Sequence, residues 1–125
     1  MNLLVDTHVV IWYFSNSYEL SKQAKEAINE GGNLVFVSAA TSWEIAIKRG
    51  LGKLKAPNNF EEEMLRHRFD PLNITISHTL AVENLPFHHN NPFDRLLIAQ
   101  AKMENLSLVT RDKNIMKYDV STILA

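Results

Sequence analysis

Short, continuous apolar runs alternate along this chain with segments of helical spacing, and that order leaves few folds open. Leu3-Leu4-Val5, Leu34-Val35-Phe36-Val37, Leu106-Ser107-Leu108-Val109-Thr110 and Val120 to Leu124 read as strands. The second run lacks polar alternation, the pattern of a strand buried on both faces. Leu20, Ala24, Ala27 and Ile28 fall at helical spacing, and Gly31-Gly32 is the expected stop. Ser38 is the expected cap of a helix with inner face Ala39, Trp43, Ala46 and Ile47, ended by Gly50-Leu51-Gly52. A charged amphipathic helix is expected over about 60–69, followed by an edge-like strand in which Leu72, Ile74 and Ile76 alternate with polar residues. Ser77 is the expected cap of a short helix ending before Pro86, and Asn91-Pro92 opens a helix Phe93 to Glu104. Strands separated by helices favour right-handed crossovers. The expected fold class is therefore α/β, a three-layer α/β/α domain with a central, mostly parallel sheet of four to five strands.

With 125 residues, the chain is expected to be a single domain spanning 1–125. It has 13 basic and 14 acidic side chains, so a whole-surface grip on nucleic acid is not expected and any such binding must use local basic patches. The absence of cysteine excludes disulfides, thiolate metal sites and a cysteine nucleophile. Leu3-Leu4-Val5 is interrupted at once by Asp6, and the apolar stretch Val9 to Phe14 is far short of a membrane span. A soluble cytoplasmic protein with no membrane partner is expected.

Within this frame four acids take on a common position. Asp6 closes the first strand, Glu44 lies in the helix after the second, Asp94 opens the helix begun at Pro92, and Asp112 follows the strand ending at Thr110. Each has an ordinary local role: Asp6 as a cap, Glu44 paired with Lys48, Asp94 favouring its helix dipole, Asp112 in a turn. In a parallel sheet, however, all four gather at the carboxyl edge, where α/β folds bind ligands. Glu44 lies six residues beyond Ser38, roughly 9 Å along the helix at ~1.5 Å per residue, and its side chain leans back toward the strand ends. Carboxylates held together need a positive charge among them, and an all-oxygen donor set suits a hard divalent cation, Mg²⁺ or Mn²⁺. Two such ions would support phosphodiester hydrolysis by activated water without a nucleophilic side chain.

Competing motifs fail on their residues. Gly52-Lys53 is followed by Leu54, and Ile47 stands where a phosphate-binding loop has its first glycine. The histidines at 8, 67, 78, 88 and 89 include no His-x-x-x-His pair, and His88-His89 reads as a solvated loop. Asp6 lacks the neighbouring acid of a phosphoacceptor, and no Ser-His-Asp set is suggested.

Leu3-Leu4-Val5-Asp6-Thr7-His8, Ser38-Ala39-Ala40-Thr41-Ser42-Trp43-Glu44-Ile45, Pro92-Phe93-Asp94-Arg95-Leu96-Leu97-Ile98-Ala99-Gln100-Ala101 and Val109-Thr110-Arg111-Asp112 resemble the PIN-domain nucleases, most closely the VapC-type toxins. The blocks run through the whole chain in the right order. The resemblance implies a Mg²⁺- or Mn²⁺-dependent endoribonuclease with an α/β/α sandwich, usually a homodimer restrained by a small VapB-like antitoxin. It implies that Asp6, Glu44 and Asp94 carry the first metal and that Asp112 completes the cluster, directly or through water. One departure is Asn91, where similar sequences often have a further aspartate, which lowers the negative charge at the site mouth and bears on the second metal.

Lys48, Arg49, Lys53, Arg95 and Arg111 are the candidate RNA contacts, since the run Lys48 to Lys55 is the only concentrated basic stretch and both arginines adjoin a candidate acid. Trp12, Tyr13, Phe14 and Trp43 are assigned to the core or a subunit interface rather than to base stacking. Two other readings stay open at this point: a catalytically silent PIN-like module that binds RNA or protein, and a metal-dependent DNA nuclease.

Overall fold

The structure is a computed structural model that describes residues 1–125. Five strands, β1 (Asn2–Val5), β2 (Leu34–Ser38), β3 (Asp70–Leu72), β4 (Ser107–Thr110) and β5 (Thr122–Leu124), form one wholly parallel sheet in the order β3-β2-β1-β4-β5. Six helices connect them: α1 (Thr7–Phe14), α2 (Lys22–Asn29), α3 (Ala39–Gly50), α4 (Phe60–Arg66), α5 (Ile76–Ala81) and α6 (Pro92–Met103). Strand order steps outward from β1 through β2 to β3, then reverses to β4 and β5 on the other side. The reversal puts the switch point, and the expected ligand crevice, between the carboxyl ends of β1 and β4.

Side chains alternate across β1 and divide the core into two layers. Leu3 and Val5 pack with Val9, Val10, Ala24, Ile28 and Val109 under α1 and α2. Leu4 points the other way, into a layer made with Leu97, Ile98, Leu108 and Ile115 on the α6 side. The three-layer expectation holds, and no helix is long and apolar enough to cross a membrane.

Four local expectations need correction. In α3 the buried residues are Ala40, Thr41, Glu44 and Ile45, not the stripe Ala39, Trp43, Ala46 and Ile47; Trp43 is 58% exposed. The cause is that α3 bridges the two core layers, with Ala40 in one and Ile45 in the other. That rotation turns two polar side chains inward, which an apolar count cannot anticipate. The third strand ends at Leu72 rather than continuing to Ile76, and its Pro71 is tolerated because β3 is an edge. Thr75, not Ser77, caps α5 in a reciprocal pairing with His78. Finally, α2 ends at Asn29, ahead of the two glycines, and the Asn33 side chain donates to the Ala27 carbonyl.

Gly52 does act as a helix stop. Its φ is +70°, and Lys53 N–H and Gly52 N–H donate to the Lys48 and Arg49 carbonyls at 2.8 and 3.0 Å. This is a left-handed helix terminus that needs no side chain. Gly52→Ala is expected to cost about 1 kcal/mol, read as a lower urea midpoint at unchanged m-value.

Candidate metal centre

Asp6 leaves the carboxyl end of β1 in extended conformation and caps α1, its Oδ1 accepting from Val9 N–H at 3.0 Å. Its Oδ2 accepts from the Thr110 hydroxyl. Thr110 closes β4, the neighbouring strand, and its Oγ1 also accepts from Asp112 N–H at 3.0 Å. One buried hydroxyl thus ties the ends of β1 and β4 together on either side of the switch point. Asp112 is further fixed as a turn residue, its Oδ1 accepting from Asn114 N–H at 2.8 Å.

Glu44 reaches the same edge from α3. It is 4% exposed, accepts from the Thr7 hydroxyl at 2.6 Å, and pairs with Lys48 Nζ one turn later at 2.5 Å. Asp94 comes from the first turn of α6. Asn91 caps that helix through Phe93 N–H and Asp94 N–H at 3.0 and 3.1 Å, which fixes the backbone under the carboxylate. The Asp94 side chain receives His89 Nε2 on Oδ2 at 3.2 Å.

All four acids line one open cleft of about 350 Å³ together with Thr7, His8, Trp12, Lys48, Asn91 and Arg111. Its electrostatics are those of crowded, desolvated carboxylates. Burial pushes the Asp6 carboxyl up to about 6; the Thr110 hydroxyl, the Val9 amide and His8 pull it down, and Asp94 adds to the rise. Asp94 is also raised, by burial first, against the His89 hydrogen bond, and then by the charges of Asp112 and Glu44.

The donor set fits a hard divalent cation, because it is carboxylate throughout and like charges raise the carboxyls at its centre. As arranged, no three His, Asp or Glu side chains encircle one point. The reason is visible in the partners: Glu44 is drawn to Lys48, Asp94 to His89 and Asp112 to its own turn. An ion in the cleft would compete with Lys48 for Glu44.

The basic candidates divide. Lys48 and Arg111 line the cleft. The Arg111 guanidinium lies 4.5 Å from the Trp12 ring centroid and donates to Glu19 and to the Ala125 carbonyl. Arg49 faces a separate groove between α3 and α4, donating to the Pro57 carbonyl at 2.8 Å, and Lys53 is exposed beyond the helix end. Arg95 must be withdrawn as a phosphate contact: it is 4% exposed and donates to the Val82, Leu85 and Pro86 carbonyls. A second correction concerns His89, which is no solvated loop residue; its side chain is 12% exposed and bonded at both nitrogens. Trp12 packs on the core yet also lines the cleft, while Tyr13 and Phe14 pack on the core as expected.

Thr7 and Thr110, absent from the sequence-derived candidates, also belong to the site. The sequence marks them only by position, Thr7 directly after Asp6 and Thr110 two residues before Asp112; their bonds to Glu44 and Asp6 appear in the fold.

A family model described as PIN domain matches residues 3–120. No curated protein sequence matches the chain. Among solved structures, the fold is similar to VapBC2 from Rickettsia felis bound to a promoter DNA fragment, at 15% identity and a TM-score of 0.73, covering 100% of this chain and 99% of that one. A toxin–antitoxin complex from Klebsiella pneumoniae matches at 18% identity and 0.66, with 97% and 95% coverage. VapBC-5 from Mycobacterium tuberculosis matches at 15% and 0.60, with 98% and 96%. At such identities these structures speak to the fold.

Proposed function

The chain belongs to the PIN-domain family, and from that premise we propose that it is a cytoplasmic, Mg²⁺- or Mn²⁺-dependent endoribonuclease, the toxin of a toxin–antitoxin pair. The observation that supports this reading is the meeting of Asp6, Glu44, Asp94 and Asp112 in one solvent-open cleft. Asp6, Glu44 and Asp94 would hold the first ion, with Asp112 completing the set directly or through water. A bound ion supplies a polarised water and neutralises charge on the phosphate, the chemistry of metal-assisted phosphodiester hydrolysis.

The protein's own groups do the rest. Thr110 and Val9 N–H fix both oxygens of Asp6, so its orientation is set before any ligand arrives. Thr7 holds one oxygen of Glu44 and Lys48 the other, so this carboxylate is likewise oriented toward the cleft. Lys48 and Arg111 are the cations lining the cleft and would meet a backbone phosphate there.

Lys48→Met is expected to lower the stability of the metal-free protein by about 1–3 kcal/mol, because a buried carboxylate loses its counter-ion; the lower bound reflects the partial exposure of Lys48. Urea unfolding with and without Mn²⁺ checks this, and the deficit should close once the ion is bound.

Support for a VapB-like antitoxin comes from the folds this chain is similar to, which are found in VapBC and toxin–antitoxin complexes. A homodimer is part of the same reading, and exposed Trp43 and Ile47 offer apolar surface for an interface. The test of the activity is a matched pair of single-stranded RNA and DNA substrates with Mn²⁺ and with EDTA. RNA should be cut only with the metal, and DNA should survive. Preferential DNA cleavage, or no cleavage of either, would overturn the reading.

A further inference from the structure

His89 touches the acidic cluster from behind. It does not line the cleft, yet its Nε2 lies 3.2 Å from Asp94 Oδ2 and its Nδ1 lies 2.8 Å from the Tyr118 hydroxyl. Counting hydrogens fixes its tautomer. The Tyr118 oxygen receives Arg95 Nη1 at 3.0 Å and His89 N–H at 3.3 Å, which occupies its acceptor capacity. Its single hydrogen then goes to Nδ1, the nearer acceptor; the His89 carbonyl stands at 3.3 Å. An Nδ1 that accepts leaves the ring hydrogen on Nε2, facing the carboxylate.

The far end of this chain is buried and fully hydrogen-bonded. Arg95 is buried, held by three backbone carbonyls of the segment before α6, with the Phe87 ring centroid 4.2 Å from its guanidinium carbon. Tyr118 is 4% exposed and follows the 3₁₀ turn Ile115–Lys117 beyond Asp112. The relay therefore runs from packed scaffold to one oxygen of one acid.

We propose that His89 is a positioning residue of this site: the chain Arg95–Tyr118–His89 holds the imidazole with its Nε2–H toward Asp94, which pins one oxygen of Asp94 and leaves the other for a divalent cation. The proposal rests on the reading of the cleft as a metal site. It gives the buried Arg95 a purpose one residue from Asp94, and it divides the work at that acid. Asn91 fixes the Asp94 backbone and His89 fixes the carboxylate plane. Outer-sphere partners of this kind typically change metal affinity or activity by about 10–100-fold.

The test combines Mn²⁺ titration calorimetry, RNA cleavage kinetics and ¹⁵N NMR of the histidine ring in the metal-free protein. His89→Ala and Tyr118→Phe are expected to weaken Mn²⁺ binding by about 10–100-fold and to lower kcat with little change in the KM for RNA. His89→Gln, which keeps an N–H toward Asp94, should recover to within several-fold of wild type. The metal-free wild type should carry its His89 hydrogen on Nε2, and Tyr118→Phe should give a mixture of tautomers. A His89→Ala protein that binds Mn²⁺ as tightly as a Mn²⁺-binding wild type overturns the positioning role alone. So does a hydrogen on Nδ1, or a His89→Gln no better than His89→Ala. If the wild type itself binds no Mn²⁺, the reading of the cleft fails and this proposal falls with it. Should His89→Ala not fold, His89→Gln, Tyr118→Phe and the tautomer decide the matter.

Discussion

Asp94→Asn is expected to lower kcat for RNA cleavage by at least about 10²–10³-fold, the scale on which a group that stabilises charge at a reacting centre acts, without unfolding the domain. The asymmetry follows from where Asp94 stands. Its backbone is held by the Asn91 cap of α6, which the substitution leaves in place, and an amide oxygen can still accept from His89. The amide also removes a carboxyl that burial, Asp112 and Glu44 all push upward, so the metal-free variant should melt at or above the wild-type temperature at neutral pH. Cleavage assays on total RNA, paired with thermal melts of the same preparations, check both halves. Cleavage retained in a pure, folded variant would remove Asp94 from the site.

The second large effect is a dependence of stability on pH that runs opposite to that of most carboxylates. Asp6 moves from 3.8 to about 6 on folding, so the folded chain binds its proton more tightly than the unfolded chain does. The contribution is fully present below about pH 4, declines as pH rises through about 6, and stays lost above that. At neutral pH the metal-free protein therefore carries a deficit with an upper bound of about 3 kcal/mol from this residue, and Asp94 acts in the same direction. Asp6→Asn should raise the melting temperature of the metal-free protein by several degrees at pH 7.5, a gain that shrinks toward pH 4. The sign reverses for the metal. Mn²⁺ must displace the proton, so Asp6 alone should lower apparent affinity by up to tenfold per pH unit below about 6. A gap between wild type and variant that is constant across pH would contradict the assigned origin.

What could be read in advance follows from which interactions repeat along the chain. The strand runs at 2–5, 34–37 and 106–110 are local and apolar, and the helices between them dictated parallel pairing, so the edge shared by Asp6, Glu44, Asp94 and Asp112 was legible. The face of α3 was not. Its rotation is set by contact with two core layers at once, and a buried Thr41 and Glu44 look polar in any count of apolar residues. Arg95 and His89 failed for a related reason. Their partners, Tyr118 and the carbonyls of the loop after α5, lie close only after the chain has closed, and charge alone suggested solvent or phosphate. Asn91 was legible as a cap because capping is a contact over two or three residues.

Carboxylates from four chain segments line one cleft, and a divalent cation is the ligand proposed for them. Calorimetric titration of Mn²⁺ into the metal-free wild type and the Asp94→Asn variant at pH 7.5 tests it most directly. Saturable binding to the wild type is expected, with affinity at least tenfold weaker in the variant. Absence of saturable binding to the wild type, or equal affinity in both proteins, would contradict it.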